Sequence, residues 1–209
     1  KKKIDNLVNE VYIGVDVNIS LSYLSAKKIS IVGAVESPGT YLVNPFSSIT
    51  SALSYSGGIL EIGSLRNIKL LKTNGDILNF DLYDLLIDGD RSKDVTVDAG
   101  DVILIESANK FTNLKGAVNR PAIYEIKEGE DLEDLINFGM GFKKNSNLSK
   151  VSISSLNIIN SSIDQLETND LDFSLKNVIT VEVYEYNNEI NSGILVSGSV
   201  AEPGYYDID

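Results

Sequence analysis

The chain has 209 residues, of which 18 are basic and 30 acidic, giving a formal net charge of −12. This charge argues against non-specific binding to nucleic acid or to anionic membrane surfaces. The absence of cysteine and histidine excludes disulfides, thiol nucleophiles and Ser-His-Asp triads. Because no apolar run reaches the roughly 20 residues of a membrane-spanning helix, we expect no membrane span in this chain.

The first patterned segment covers residues 11–23. From Val11 to Tyr23, an apolar residue occupies every second position, which predicts a half-buried β-strand or hairpin. Too little sequence precedes this strand to complete a sheet, so we assign residues 1–28 to the end of a preceding domain.

A nine-residue phrase occurs three times, at Gly33–Tyr41, Gly116–Tyr124 and Gly198–Tyr206. The spacing is too long for a solenoid repeat and fits a small folded domain. We therefore predict a tandem array with a first module at residues 29–108, a second module at 109–190 and the first hairpin of a third at 191–209.

In the first module, alternating residues 29–35 lead into a turn with Pro38 at its second position and Gly39 at its third. This pattern predicts a type II turn, in which glycine accepts a positive φ, and then a returning strand. Ser47 or Ser48 is expected to cap a short helix that ends at the Gly57-Gly58 pair. The apolar positions of this helix are Ile49, Ala52 and Leu53.

The rest of the module predicts a second hairpin, with strands at 67–71 and 77–80 around Asn74-Gly75. A second short helix carries Leu82, Leu85 and Leu86 and ends at Gly89. The turn at residues 98–101 then leads into a closing strand at 102–105.

The second module repeats this order, with Ala122 where the first has Gly39 and with Leu175-Lys176-Asn177 in place of the turn at 98–101. The order of hairpin, helix, hairpin, short helix and strand predicts an α+β fold of tandem β-grasp modules, each a ubiquitin-like mixed sheet with one main helix. Residues 194–208 are too few to fold alone, so we expect them to pack against a neighbouring domain or chain. The remaining assignments are a helix capped by Asp131 and ended by Gly139 and Gly141, a strand around Val151 and Ile153, and a closing strand at 178–183.

The pattern Gly-x-Val-x-x-Pro-Gly-x-Tyr resembles the soluble-ligand-binding β-grasp (SLBB) domain. The Gly57-Gly58 pair after a short helix and the late Gly-Asp-x-Ile at residues 100–103 strengthen the resemblance. Tandem SLBB domains are characteristic of bacterial outer-membrane polysaccharide export proteins, and residues 17–33 are similar to the end of the polysaccharide-export domain that precedes them there. The motif positions, structural rather than catalytic, are Gly33, Pro38, Gly39, Tyr41, Gly57, Gly58, Gly100, Asp101, Gly116, Pro121, Tyr124, Gly198, Pro203, Gly204 and Tyr206.

The resemblance implies a homo-oligomeric ring in the periplasm, below an outer-membrane pore through which polysaccharide passes. It also implies a lipidated cysteine and a pore helix outside this chain, and an inner-membrane polysaccharide co-polymerase as partner. The implied role is a non-enzymatic wall segment without cofactors. The alternative is a protein that binds a soluble glycan or a small ligand without forming a pore.

Three further hypotheses concern chemistry. The repeated phrase fits either a ligand site present three times or, as we prefer, a hairpin anchored by its tyrosine. The aspartates between Asp81 and Asp101 could bind calcium, but they do not match the calcium-loop spacing and fit helix caps and turns better. A glycosidase-like acid pair needs only two carboxylates, yet no pair recurs in both modules, so we expect no enzyme.

Overall fold

The computed structural model describes residues 7–8, 10–11, 25–186, 193–202 and 204–207. Val11 is helical, as are the other described residues before it, so the predicted strand does not begin there. The rest of that prediction, residues 12–23, lies outside the described residues, as does most of segment 1–28. The chain divides into two compact units, Lys1–Ala108 and Asn109–Asp209.

The first unit contains a five-stranded mixed sheet in the order β2-β1-β5-β3-β4. Strands β1 and β5 are parallel, whereas the other neighbours are antiparallel. This is the β-grasp arrangement, with two five-residue helices, α1 and α2, beside the sheet. The elements are β1 Lys27–Gly33, β2 Gly39–Val43, α1 Ile49–Leu53 with a 3-10 turn at Ser54–Ser56, β3 Gly63–Leu71, β4 Ile77–Phe80, α2 Leu82–Leu86 and β5 Val102–Ser107.

The second unit repeats this sheet in the order β7-β6-β10-β8-β9, with β6 and β10 parallel. The α+β fold of tandem β-grasp modules is therefore confirmed. Its elements are β6 Phe111–Gly116, β7 Ala122–Glu125, α3 Leu132–Phe138, β8 Ser146–Asn157, β9 Ser162–Thr168 and β10 Val178–Glu185.

The main helices begin where the sequence predicts. The Ser48 side chain caps α1 by accepting a hydrogen bond from the Ser51 amide. Asp131 and Asp134 form a reciprocal capping box at the start of α3. Such caps satisfy amides that have no partner within the first turn, so local sequence fixes where each helix begins.

The core of each module lies between the main helix and one face of the sheet. The predicted apolar helix positions of α1 are all buried. They meet strand residues such as Ile31, Leu70 and Ile103, which are fully buried. In the second module, Leu132 and Leu135 of α3 are equally buried, as are Ile153 and Val181 of the sheet. The alternation of apolar and polar residues along the strands therefore gives each sheet one apolar face, and this face packs against the main helix.

The predicted type II turn is wrong. Gly39 does not have a positive φ, and it already belongs to β2, where it pairs with Ile31. Ala122 occupies the same place and pairs with Leu114. A position that alanine fills equally well needs no left-handed backbone. The required glycine is instead the first residue of the phrase.

The two modules differ after their fourth strand. In residues 169–177, all of which the structure describes, there is no counterpart of α2. The preceding hairpin is also longer, since β8 and β9 have 12 and 7 residues whereas β3 and β4 have 9 and 4. Asn177, with a φ of 63°, takes the place in the following turn that Gly100, with a φ of 89°, takes in the first module.

The third copy of the phrase belongs to a separate hairpin of β11 (Gly193–Val196) and β12 (Gly204–Asp207). These two strands form their own two-stranded sheet. Pro203 lies outside the described residues. The packing of this hairpin on a neighbouring domain or chain stays a prediction.

Candidate functional site: the repeated hairpin and a cleft in the first module

The first glycine of the phrase lies against the closing strand of its module. Gly33 and Gly116 have φ values of 91° and 87°. A Cβ on Gly33 would lie 2.0 Å from the carbonyl oxygen of Ile105, and one on Gly116 would lie 2.1 Å from that of Val183. Neither distance is compatible with a side chain, so both the backbone angle and the neighbouring strand require glycine.

The glycine opens a tight turn that recurs in all three copies. The amide of Val35 donates to the carbonyl of Gly33 at 2.9 Å, and Val118 donates to Gly116 at the same distance. In the third hairpin, the Val200 amide donates to Gly198, again at 2.9 Å, and Gly198 has a φ of 106°. The turn therefore forms in all three sequence contexts.

The glycines that end each main helix lie against the phrase. The amides of Glu36 and Ser37 donate to the carbonyls of Gly58 and Ser56, at 3.1 and 2.9 Å. In the second module, Asn119 and Arg120 donate to Gly141 and Gly139, at 3.0 and 2.9 Å. Gly57, with a φ of 85°, ends the 3-10 turn that precedes this contact.

The tyrosine closes the loop from the other end. The Tyr41 hydroxyl donates to the carbonyl of Ser37, and the Tyr124 hydroxyl donates to that of Arg120 at 2.8 Å. Burial raises the pKa of Tyr124 above its ordinary value. Pro38 and Pro121 stand just before the returning strand, where no backbone donor is needed. Gly204 begins β12, but the side chain of Tyr206 lies outside the described residues.

The Gly100-Asp101 pair of the first module anchors a cluster of charged groups. Asp101 is fully buried, and its Oδ2 accepts from the Asp98 amide at 2.7 Å and lies 2.9 Å from Lys72 Nζ. Asp98 bridges Lys27 and Lys72, each at 3.0 Å. Burial works to lower the pKa of Lys72, but the two aspartates together raise it. The two lysines, Lys27 first, lower the pKa of Asp98.

Two other aspartates of this stretch bind the first turns of the helices. Asp81 caps α2 through the Tyr83 amide. Asp94 accepts from the amide and the hydroxyl of Thr50, at 3.0 and 2.6 Å. No group of three or more acidic side chains in the described ranges is arranged to hold a metal ion.

A cleft of about 240 Å³ opens on the first module beside α1, the Gly58 loop, the start of β3 and α2. Thr50, Ser54 and Gly58 contribute to its lining, which is otherwise aliphatic. The sequence does not reveal this cleft, because its lining comes from four separate segments. The aliphatic lining residues are Leu53, Ile59, Leu65 and Leu82.

A buried charged residue fixes the helix that borders the cleft. Arg66 Nε lies 3.2 Å from Asp81 Oδ2, and both side chains are largely buried. The Arg66 guanidinium also lies 4.6 Å from the centre of the Tyr83 ring, a cation–π contact. Asp81 and Tyr83 begin α2, so Arg66 ties this helix to the sheet.

Comparison with known proteins bears on each module separately. No curated protein matches the chain. Among the described residues, none of the helices has both the length and the apolar character needed to cross a membrane. The family model of the SLBB domain matches residues 28–81 and again residues 112–157. With one match in each β-grasp sheet, the comparison supports the assignment of both modules as SLBB domains.

Proposed function

We propose that this chain is a non-enzymatic segment of an oligomeric polysaccharide export channel in the bacterial periplasm, where its SLBB modules act as wall units. One observation carries the proposal. The motif residues engage the backbone of their own module, in the same way in both modules. Gly33 and Gly116 admit the neighbouring strand, and Tyr41 and Tyr124 close the loop. A motif used in this way builds a unit that can be repeated.

The charge of the chain suits a passage for anionic polymers. With a net charge of −12, a wall made of many copies repels a polyanion and limits tight binding during transport. Hydrolysis would interrupt transport, and a wall segment needs no catalytic groups. The proposed channel therefore depends on shape and charge.

Assembly of such a wall requires contacts between unlike surfaces of successive subunits, since only a heterologous interface closes into a ring. In the described sheets, the edge strands β2, β4, β7 and β9 each have a single neighbour. Unpaired strand edges are common sites of pairing with another chain. They supply surfaces through which a ring can form.

The test is an in-frame deletion of residues 109–190 from the complete protein in its bacterium. We expect surface polysaccharide to be lost, polymer to accumulate inside the cell, and the oligomer seen by native electrophoresis to disappear. Gly116→Ala in the complete protein is the second variant. It should destabilise the same module by changing a single residue, so it repeats the test without removing any sequence. Normal surface polysaccharide and an intact oligomer in both variants would refute the proposal.

The alternative is a protein that binds a soluble glycan or a small ligand. Within this alternative, the mostly aliphatic cleft on the first module favours a small apolar ligand. Calorimetric titration of the chain with soluble glycans and with hexanoate separates the channel from the binding protein. Saturable heat that Ser54→Phe abolishes would favour the binding protein. The channel predicts no such heat.

A further inference from the structure

The long hairpin of the second module exposes aliphatic side chains at its tip. We call residues 156–163 the arm. Ile159 is 93 % exposed, Ile158 is 68 % exposed and Ile163 is 63 % exposed. Because apolar side chains grouped on a surface mark interaction sites, the arm is a candidate interaction surface.

The turn of the arm is held in a defined shape. The Asn157 side-chain oxygen accepts from the amides of Ile159 and Asn160, at 3.1 and 3.3 Å. Its nitrogen donates to Asp164 Oδ2 at 2.8 Å. One asparagine thus fixes the tip and ties it to the opposite strand, so the two isoleucines are presented in an ordered turn.

The cleft of the first module has the size and chemistry for such a side chain. Its volume of about 240 Å³ exceeds the roughly 150 Å³ of a cavity that binds benzene. It falls below the ~300 Å³ at which pockets for larger ligands begin. The lining includes neither an aromatic ring nor a charged group, the groups that stack on sugars or orient polar ligands. An aliphatic side chain fits it best.

Both surfaces also lack charge in a strongly acidic chain. Residues 37–60 and 151–163 are the two longest stretches without Asp, Glu, Lys or Arg. The first includes the α1 part of the cleft lining and the second includes the arm. Two copies with a net charge of −12 each repel one another over most of their surface. Neither the cleft lining nor the arm includes a charged residue, and the nearby Asp94 is held by Thr50, so their contact places no two charged residues directly against each other.

We propose that Ile159, with Ile158 beside it, inserts into the first-module cleft of a second copy of this chain. The inference rests on the proposed function, because it names one contact between subunits of the ring. Each copy has the arm on one module and the cleft on the other, so the contact is head-to-tail. Two side chains bury far less than the roughly 1,000 Å² of a stable interface, so this contact sets direction and register within a larger interface.

The absence of native cysteine allows a direct test by disulfide trapping. Copies of the chain carrying Asn160→Cys, beside the intact isoleucines, are mixed with copies carrying Ser54→Cys at the cleft. The matched control replaces Asn160→Cys by Asn74→Cys, in the exposed turn of the shorter hairpin. We expect about tenfold more mixed disulfide than in the control, the factor that burial of one aliphatic side chain provides. Adding Ile159→Ser should remove this excess.

Equal yields from the two mixtures would overturn the inference. An excess that persists with Ile159→Ser would also overturn it. The same holds if a single chain that carries both cysteines forms the disulfide internally, at a yield that does not depend on protein concentration. The inference would also be overturned if the mixed disulfide shows no excess over the control and hexanoate blocks its formation in a saturable way. That result would assign the cleft to a small ligand. If trapping fails while the complete protein still forms its oligomer, the inference is wrong and the proposed function stands.

Discussion

The two modules share one sheet order yet use different means to finish it. The first has a small helix, α2, held by Arg66 and Asp81, and a turn held by Lys72, Asp98 and Asp101. The second has neither, and its hairpin of β8 and β9 is longer. Val178, the first residue of β10, is buried next to the left-handed Asn177 of the preceding turn.

The comparison separates what makes the fold from what gives each module its surface. The shared features are backbone features, namely a left-handed glycine, a tight turn and a tyrosine hydroxyl on a carbonyl. The largest differences lie in the segments between the main helix and the closing strand. Those segments supply the arm of the second module and, together with α1, the cleft of the first, so the modules are not interchangeable.

The largest expected effect concerns the shared glycine. Gly33→Ala and Gly116→Ala each bring a Cβ within about 2 Å of a carbonyl oxygen. Each should destabilise its own module by more than ~4 kcal/mol, since backbone strain of about 1–3 kcal/mol adds to the clash. Urea unfolding monitored by NMR should show loss of the substituted module.

Gly58→Ala is the matched control for this pair. Gly58 has a φ of 105°, but a Cβ there meets nothing within 4 Å. It should cost only the strain, about 1–3 kcal/mol. Equal losses in Gly33→Ala and Gly58→Ala would show that the neighbouring strand is not the reason for the glycine.

A second prediction concerns the buried ion pair of the first module. Asp81→Asn keeps a side chain able to cap α2 but removes the negative charge that lies 3.2 Å from Arg66 Nε. We expect a loss of about 3 kcal/mol in the first module, as for other broken buried pairs. The free energy of unfolding of the second module should not change.

The double variant Arg66→Met with Asp81→Asn tests the cause. It removes the buried guanidinium together with the carboxylate, and it should recover most of the lost stability. If the double variant is no more stable than Asp81→Asn alone, the loss arises from the cap or from packing.

A third, smaller effect is a pH dependence confined to the first module. The pKa of Lys72 is raised in the fold, so its stabilisation is present below the ordinary lysine pKa and is lost as pH rises through the folded value. The pKa of Asp98 is lowered, so its stabilisation is present above the ordinary value and is lost as pH falls through the folded one.

Unfolding of the chain and of Lys72→Met, measured at both ends of the pH range, checks this prediction. The substitution should flatten the loss of first-module stability above pH ~10.4 and leave the second module as it was. An unchanged alkaline slope would mean that Lys72 is not the titrating group.

The smallest expected effect concerns the tips of the two hairpins, the arm of the second module and the Asn74-Gly75 turn of the first, whose stabilities should respond independently. Asn157→Ala removes two amide contacts and the link to Asp164, which should lower the local stability of the arm by about 1 kcal/mol. Hydrogen exchange of the amides at 159 and 160 should quicken accordingly. Asn74→Ala, which removes similar bonds to Asp76 in the shorter hairpin, should leave exchange in the arm unaltered.

Much of the fold follows from local sequence. The caps at Ser48 and Asp131, the apolar positions of α1 and the Asn74-Gly75 hairpin depend on neighbours within a few residues, so pattern alone predicts them. The type II turn failed because a Pro-Gly pair suits several turns. The strand pairing of Gly39 with Ile31 decided between them.

The sequence by itself determined the repeat, its period and the β-grasp order, because these depend on periodic burial and on glycine and proline chemistry along the chain. Tertiary structure alone decided why the first glycine of the phrase is required, since the carbonyls of Ile105 and Val183 lie about 70 residues away along the chain. It also decided where the cleft lies and which isoleucines are exposed. Apolar residues of similar type line the cleft, fill the core and form the arm, and only packing separates these roles.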